Sequence, residues 1–290
     1  MARSASRDLT LPAAESALDQ IESVPSVLES AATGEIAEVY SDIRKTLGTS
    51  VVNLIWRNLA TIQGALPWTW SAVRPLYLGA AAGHAEAVRR TLRLPETTKL
   101  STKVLAAAGI DGNARKEIRT ILDSYHHTNA LALVVLSALL ERYDRSAGQA
   151  VDVTEANAPV AVRTELPALP AMTALPGEVR HLIDELNGYG EDGAPYLIAS
   201  MYRHLAYWPA YLAIIRDLLA PLQADGSLNA LTRSARALGR AHGKVLARQL
   251  EPAPPPPALQ DALASCRLFV EHPIARMTGI CALIRGATEA

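Results

Sequence analysis

Cysteine is scarce. Only Cys266 and Cys281 occur in 290 residues, too few to build a disulfide framework or a four-ligand zinc site by themselves. Such thrift suits a reducing cytoplasm. An excess of charge is also missing: Lys and Arg number 28 against 29 for Asp and Glu, and no long block of one sign occurs. Binding a phosphate backbone needs a concentrated basic surface, so no nucleic-acid partner is expected. The N-terminus, Met-Ala-Arg-Ser-Ala-Ser-Arg-Asp, leads into no apolar stretch of the kind a signal peptide carries. The richest apolar run, Ala130 to Leu140, is too short to span a bilayer, so no membrane partner is expected. No segment alternates with the period of two that a half-buried strand needs. Phosphate loops, a Gly-x-Gly-x-x-Gly after a strand and a Gly-x-Ser-x-Gly elbow are absent too, and no cofactor or metal is expected.

What remains is a globular composition, 49% hydrophobic and 20% charged, in a chain long enough for two core-forming units. Ile36, Val39, Tyr40, Ile43 and Leu47 recur at steps of three and four, one face of a helix closed by Gly48. Thr49-Ser50 opens a second helix, and Pro67 a third with Pro75 as a kink. Further helices are predicted from about Glu96 to Gly109, from Asp111 to Tyr125, and from Asn129 to Tyr143. Helical order returns at 178–187, 195–206, 210–222, 228–249, 258–270 and 273–286. The expected fold class is all-α.

The chain also matches itself. Trp56-Arg57-Asn58-Leu59-Ala60 lies 146 residues before Tyr202-Arg203-His204-Leu205-Ala206, and Pro75-Leu76 the same distance before Pro221-Leu222. Gly34-Glu35-Ile36 pairs with Gly177-Glu178-Val179, and Leu136 to Leu140 with Ile280 to Ile284, at almost the same spacing. Ordered matches of this kind predict a duplication. Two pseudo-symmetric repeats, 34–145 and 177–290, should pack as an intramolecular pseudo-dimer. A tail (1–33) precedes them, and a Pro/Ala-rich connector (146–176) joins them.

Few residues suggest chemistry directly. His126-His127 precedes a wholly apolar helix without a second ligand pair at helical spacing, so proton handling is the only role to weigh against helix-end capping. Asn129 stands at the mouth of that helix, as an N-cap or as a site amide with several hydrogen bonds to satisfy. Glu191-Asp192 sits in a glycine-rich loop ahead of Pro195, where a carboxylate serves helix capping or acts as a base. Trp56, Trp68, Trp70 and Trp208 suit a core as well as a ligand box.

Gly34-Glu35, Asp42-Ile43-Arg44, Thr46-Leu47, Arg57, Leu59-Ala60-Thr61 and Leu66-Pro67 together resemble the group I 2-haloacid dehalogenases that act on both D- and L-substrates. So do Tyr125 with Asn129, and Ala199-Ser200 followed by Tyr202, Leu205-Ala206 and Trp208-Pro209. The resemblance runs through residues 30 to 285. The first half is also distantly similar to carboxymuconolactone-decarboxylase-type helical proteins, without their Cys-x-x-Cys. The dehalogenase resemblance implies an all-helical pseudo-dimer with its site between the halves. There an Asp and an Asn activate water that displaces halide directly. The Asn falls on Asn129 and the Ser before the Asp falls on Ser200, but the Asp itself falls on Met201. A thioether cannot accept a proton, so this chain is expected to be a divergent member without the water-activating base. Aromatic pocket positions fall on Val51 and Leu54.

The functional expectation is therefore an enzyme on this scaffold, other than a dehalogenase, acting on a small organic substrate, such as a carboxylate, at an electrophilic carbon. Hydrolysis, ring opening or closure, elimination and isomerisation all fit, within secondary metabolism in the cytoplasm. Asn129, His126, His127, Glu191 and Asp192 are the candidate catalytic residues. Ser200, Met201, Tyr202, Val51, Leu54 and Trp56 are the candidate substrate contacts. A non-catalytic binding protein and a dehalogenase with a relocated base are the alternatives, and a homodimer is compatible with either.

Overall fold

The structure is a computed structural model that describes residues 24–143, 165–191, 193, 195–251 and 254–288. Residues 1–23 of the expected tail, 144–145 at the end of the expected first repeat, 146–164 of the expected connector and Asp192 lie outside the described residues. Among the described residues the protein is all-α, with one isolated β-bridge, Leu100 to Thr288, and no strand. No described helix is long and apolar enough to cross a membrane.

The first helices are α1 (Gly34–Leu47), α2 (Leu54–Leu59), α3 (Ala65–Leu78), α4 (Ala81–Thr91), α5 (Thr102–Ala107) and α6 (Gly112–Tyr143). Gly48 closes α1 with a left-handed φ of 66°, a conformation that costs glycine no Cβ clash. Asp111 caps α6, its Oδ1 accepting from Asn113 N at 2.9 Å and Ala114 N at 2.8 Å.

Three departures from the sequence reading bear on the site. Helix α6 is one continuous rod of 32 residues where two helices are expected. No glycine or proline interrupts 113–143, and a His pair costs a helix only about a few tenths of a kcal/mol. Asn129 is thus mid-helix and caps nothing. Helix α4 is not anticipated at all, because its buried side chains are Ala81, His84, Ala85, Ala87 and Val88, small residues with little periodic signal. Finally, α5 starts only at Thr102, with Ser101 Oγ accepting from Val104 N at 3.3 Å.

The later helices are α7 (Gly177–Asn187), α8 (Ser200–Leu205), α9 (Pro209–Ala224), α10 (Ser227–Leu246), α11 (Leu259–Phe269) and α12 (Ala275–Ala287). A π-helical segment, Val270–Ile274, joins the last two without a break. Pro273 lies inside it and has no N–H to give, which favours the wider turn there. Before α8, residues 195–199 are extended and not helical as expected.

The centre of the molecule is α6 packed against α10 and α12. Gly239 and Gly243 allow this approach. A Cβ on Gly243 would lie 2.6 Å from Ser137 Cβ and 2.9 Å from its carbonyl carbon, and one on Gly239 would lie 2.7 Å from Leu133 Cγ. The short helices α2 and α8 begin 146 residues apart, and each is followed by a helix with an internal proline, Pro75 or Pro221. Their fifth residues make matching bonds. Asn58 donates to Pro25 O at 2.8 Å and accepts from Ser265 Oγ at 2.6 Å. His204 bonds Pro167 O at 3.1 Å and Tyr125 Oη at 2.7 Å.

Candidate active site

Helix periodicity brings Tyr125, Asn129 and Ala132 to one face of α6, at steps of four and three. That face forms one wall of a cavity of about 60 Å³. Asn53, Leu54 and Ile55 close it at the start of α2, and Leu197 to Met201 run past it into α8. Phe269, Pro273, Ile274 and Met277 complete it from the π-helical turn and its flanks. At about 10–15 Å³ per water-sized probe, this space suits a ligand of roughly four to six heavy atoms. All the lining residues are uncharged, and only Asn53, Tyr125, Asn129 and Ser200 are polar.

The strand-like segment before α8 is held by a buried cation. Arg276, 3% exposed, donates to Asn187 O at 2.6 Å, to Asn187 Oδ1 at 3.1 Å and to Leu197 O at 3.3 Å. Asn187 Oδ1 also accepts from Ala199 N at 3.0 Å. Burial lowers the Arg276 pKa, yet these oxygens engage both terminal nitrogens, and only Nε has no acceptor among the described residues. The network fixes where Ser200 and Met201 enter the cavity wall.

Polar groups at the cavity fall into two sets. Asn129 is 6% exposed, and its Nδ2 has no acceptor among the described residues. Tyr125 Oη lies 2.7 Å from His204 Nδ1. Burial raises the Tyr125 pKa, against a smaller opposing pull from Arg57, Arg203 and, beside it, Ser200. His204 is fully buried, and burial drops its pKa to about 4, with the Pro167 carbonyl working the other way and Arg203 and Arg57 adding to the fall. It is therefore neutral at ordinary pH.

Among the candidates from the sequence, Asn129, Ser200, Met201 and Leu54 line this cavity. Val51, Trp56 and Tyr202 do not. Trp56 is fully buried, edge-on to Trp70 at 5.4 Å and to Tyr77 at 6.4 Å. Tyr202 is equally buried, and its hydroxyl has no partner among the described residues. His126 and His127 are half-buried on α6 outside the lining, both with lowered pKa values, chiefly from burial. Glu191 belongs to a second cavity of about 320 Å³ with Asp184, Asn187, Tyr196 and Arg276. Its Oε1 is held by Arg236 at 2.7 Å and His272 at 3.0 Å. Tyr125 and His204 are the site groups the sequence reading did not single out. A partial signal was there: His204 lies 146 residues after Asn58, the offset of the sequence matches, and the residue type changes between them. Among the described residues no cluster of three or more His, Cys, Asp or Glu could hold a metal ion.

No family model matches the chain. It is, however, 31% identical over 224 residues to a configuration-inverting 2-haloacid dehalogenase of Alcaligenes xylosoxydans xylosoxydans, covering 72% of this chain and 74% of that protein. The chain belongs to the 2-haloacid dehalogenase family. A second configuration-inverting 2-haloacid dehalogenase, from Pseudomonas sp. (strain 113), is 26% identical over 242 residues, covering 77% of this chain and 75% of that one. In fold, the chain is similar to a crystal structure of a D-2-haloacid dehalogenase mutant, with TM-score 0.69, 19% identity, and coverage of 91% of this chain and 96% of that one. A D-2-haloacid dehalogenase complex with L-LA superposes with TM-score 0.64 at 17% identity, covering 91% and 94%. These solved 2-haloacid dehalogenases have the same all-α fold as the present chain.

Proposed function

We propose that the chain is an enzyme on the 2-haloacid dehalogenase scaffold that acts on a small organic molecule at an electrophilic carbon without the family's water-displacement chemistry. The cavity against Asn129 is its site. Hydrolysis, ring opening or closure, elimination and isomerisation are the reactions in reach, and secondary metabolism in the cytoplasm is the setting. The two halves of this reading's pseudo-dimer, 34–145 and 177–290, would each supply a wall, and assembly into a homodimer is part of the same proposal.

One observation carries it. Met201, the position onto which the family's Asp falls, is 1% exposed in the cavity wall, and none of the described residues lining that cavity is a carboxylate. A thioether neither deprotonates water nor holds it against a halogen-bearing carbon. Removing a positioned base typically costs about 10²–10⁴-fold in rate. The uncharged lining also favours a second reading, a binding protein that kept the pocket and lost the reaction. Against it stands Tyr125, an acid–base group in the wall with a buried histidine behind it.

Methionine methyl labelling tests the site. The chain has four methionines, of which Met201 and Met277 line the cavity and Met172 does not. Titrating ¹³C-methyl-Met protein with small neutral carbonyl compounds should move the Met201 and Met277 signals and leave Met172 in place, whereas the (R)- and (S)-2-chloropropionate anions should move them little. Chloride release from either enantiomer should stay at the buffer rate. Rapid chloride release, lost in Asn129→Ala, would return the chain to dehalogenation and overturn the proposal.

A further inference from the structure

The hydrogen bonds around His204 determine which way protons point. Pro167 O can only accept, so the Nε2 bonded to it at 3.1 Å carries the hydrogen. A neutral imidazole then has a bare Nδ1, and the Tyr125 hydroxyl 2.7 Å away must donate to it. With its own proton turned to His204, Tyr125 presents oxygen lone pairs elsewhere, and Tyr125 lines the cavity. Ser200, in the same wall, lies beside Tyr125 and favours negative charge on that oxygen. A donor comes from Asn129, whose buried Nδ2 has no acceptor among the described residues. One turn of α6 therefore offers a ligand both an acceptor backed by a base and a free amide donor.

Charge restricts the ligand. Among the described residues no Lys, Arg, His, Asp or Glu lines the cavity, and burying an unpaired carboxylate there is strongly unfavourable. A neutral carbonyl compound meets the site better, with its oxygen on Asn129 Nδ2 and an adjacent carbon facing Tyr125.

Resting on the reading of this cavity as the site, we propose that Tyr125 and His204 form its proton acceptor, acting on an uncharged carbonyl compound of about five heavy atoms. The C–H bond next to the carbonyl breaks and its proton forms an O–H bond with Tyr125 Oη. The proton Tyr125 already carries passes to His204 Nδ1, making an imidazolium whose Nε2–H stays on Pro167 O. The electron pair remains on the ligand as an enolate, its oxygen held by Asn129. Nothing is oxidised or reduced, and the reverse transfers return the proton to the same or a neighbouring carbon. Tyr125 touches the ligand, whereas His204 acts through Tyr125. Burial, with a smaller contribution from the Arg203 and Arg57 charges, holds His204 neutral until the moment of transfer. In this way the pair takes over the task of the carboxylate that position 201 lacks.

The repeat itself supplies a clean variant. Asn58 makes the corresponding two bonds, donating to Pro25 O and accepting from Ser265. His204→Asn should keep both bonds of His204 and lose only the ability to take a proton. The probe is 2-butanone in D₂O, with deuterium uptake at its α carbons followed by ¹H NMR. Wild type should accelerate uptake over buffer, with a rate that declines on the acid side as His204 protonates. Tyr125→Phe and His204→Asn should each lower it by about 10²–10⁴-fold, while butanone still shifts the Met201 and Met277 methyl signals. Uptake retained in both variants, or no uptake by a wild type whose methionines respond, overturns the relay and leaves the cavity reading standing. If butanone moves neither methionine, the cavity reading fails for this ligand class. The relay is then decided by ¹⁵N NMR of wild-type His204: a proton on Nε2 supports it and one on Nδ1 overturns it.

Discussion

A carboxylate at position 201 would enter a wall that offers it no cation. Met201 is 1% exposed among uncharged neighbours, so Met201→Asp should fold but stand well above its ordinary pKa. A raised carboxyl pKa means the folded state holds its proton longer than the unfolded one. The stability deficit relative to wild type should therefore grow as pH rises through the ordinary carboxylate range toward the raised value. The expected outcome is a Tm penalty larger at pH 8 than at pH 5, with at most weak chloride release from 2-chloropropionate. An equal penalty at both pH values would mean that the side chain is not buried. At this scale the sequence was partly legible. Asn129, Ser200, Met201 and Leu54 could be placed by resemblance, and all four line one cavity. Tyr125 was seen only as part of a motif, and His204 only as a repeat position. Both owe their interest to a bond between residues 79 apart in sequence, which no local pattern encodes.

Helix contacts explain what is fixed between elements. Where α10 crosses α6, Gly243 faces the Cβ and backbone of Ser137, atoms that cannot swing aside. Gly243→Ala should force the two helices apart and cost about 1–3 kcal/mol, as overpacking of cores does. At about 2–4 °C per kcal/mol for a chain of this size, Tm should fall by roughly 2–12 °C. An unchanged Tm would show the helices free to separate. Most helices could be read from apolar periodicity, since α1, α7, α9 and α10 each bury a stripe at three- and four-residue steps. Helix α4 could not, because it buries alanines and a histidine. The expected break at His126-His127 failed for a related reason: polar residues inside a long helix interrupt the hydrophobic pattern without interrupting the backbone.

Acid response belongs to the molecule as a whole. Burial lowers His126, His204 and His242 to about 4, with His84 adding to the fall at His242, 2.8 Å away between Nδ1 atoms. Each is a base whose unfolded form takes a proton first, so the stability they give is complete above pH about 6.5 and lost as pH falls toward 4. Asp42 and Glu86, whose pKa values are lowered, act only below that window. Tm should be level from pH 8 to 7 and drop by several degrees or more by pH 4, at about 1.4 kcal/mol per pK unit and about 2–4 °C per kcal/mol. His242→Gln should flatten that slope even if it lowers the plateau, and an unchanged slope would remove the pair from the account. The long rod α6 has a further consequence, for how such a protein can change its trade. Tyr125 and Asn129 ride on the helix that also forms the centre of the core, so their place is set by the survival of the fold. The opposing wall comes from a six-residue helix, an extended run and a π turn. Directed evolution toward a new substrate should therefore leave the rod alone and find its gains at Ile198, Met201, Ile274 and Met277.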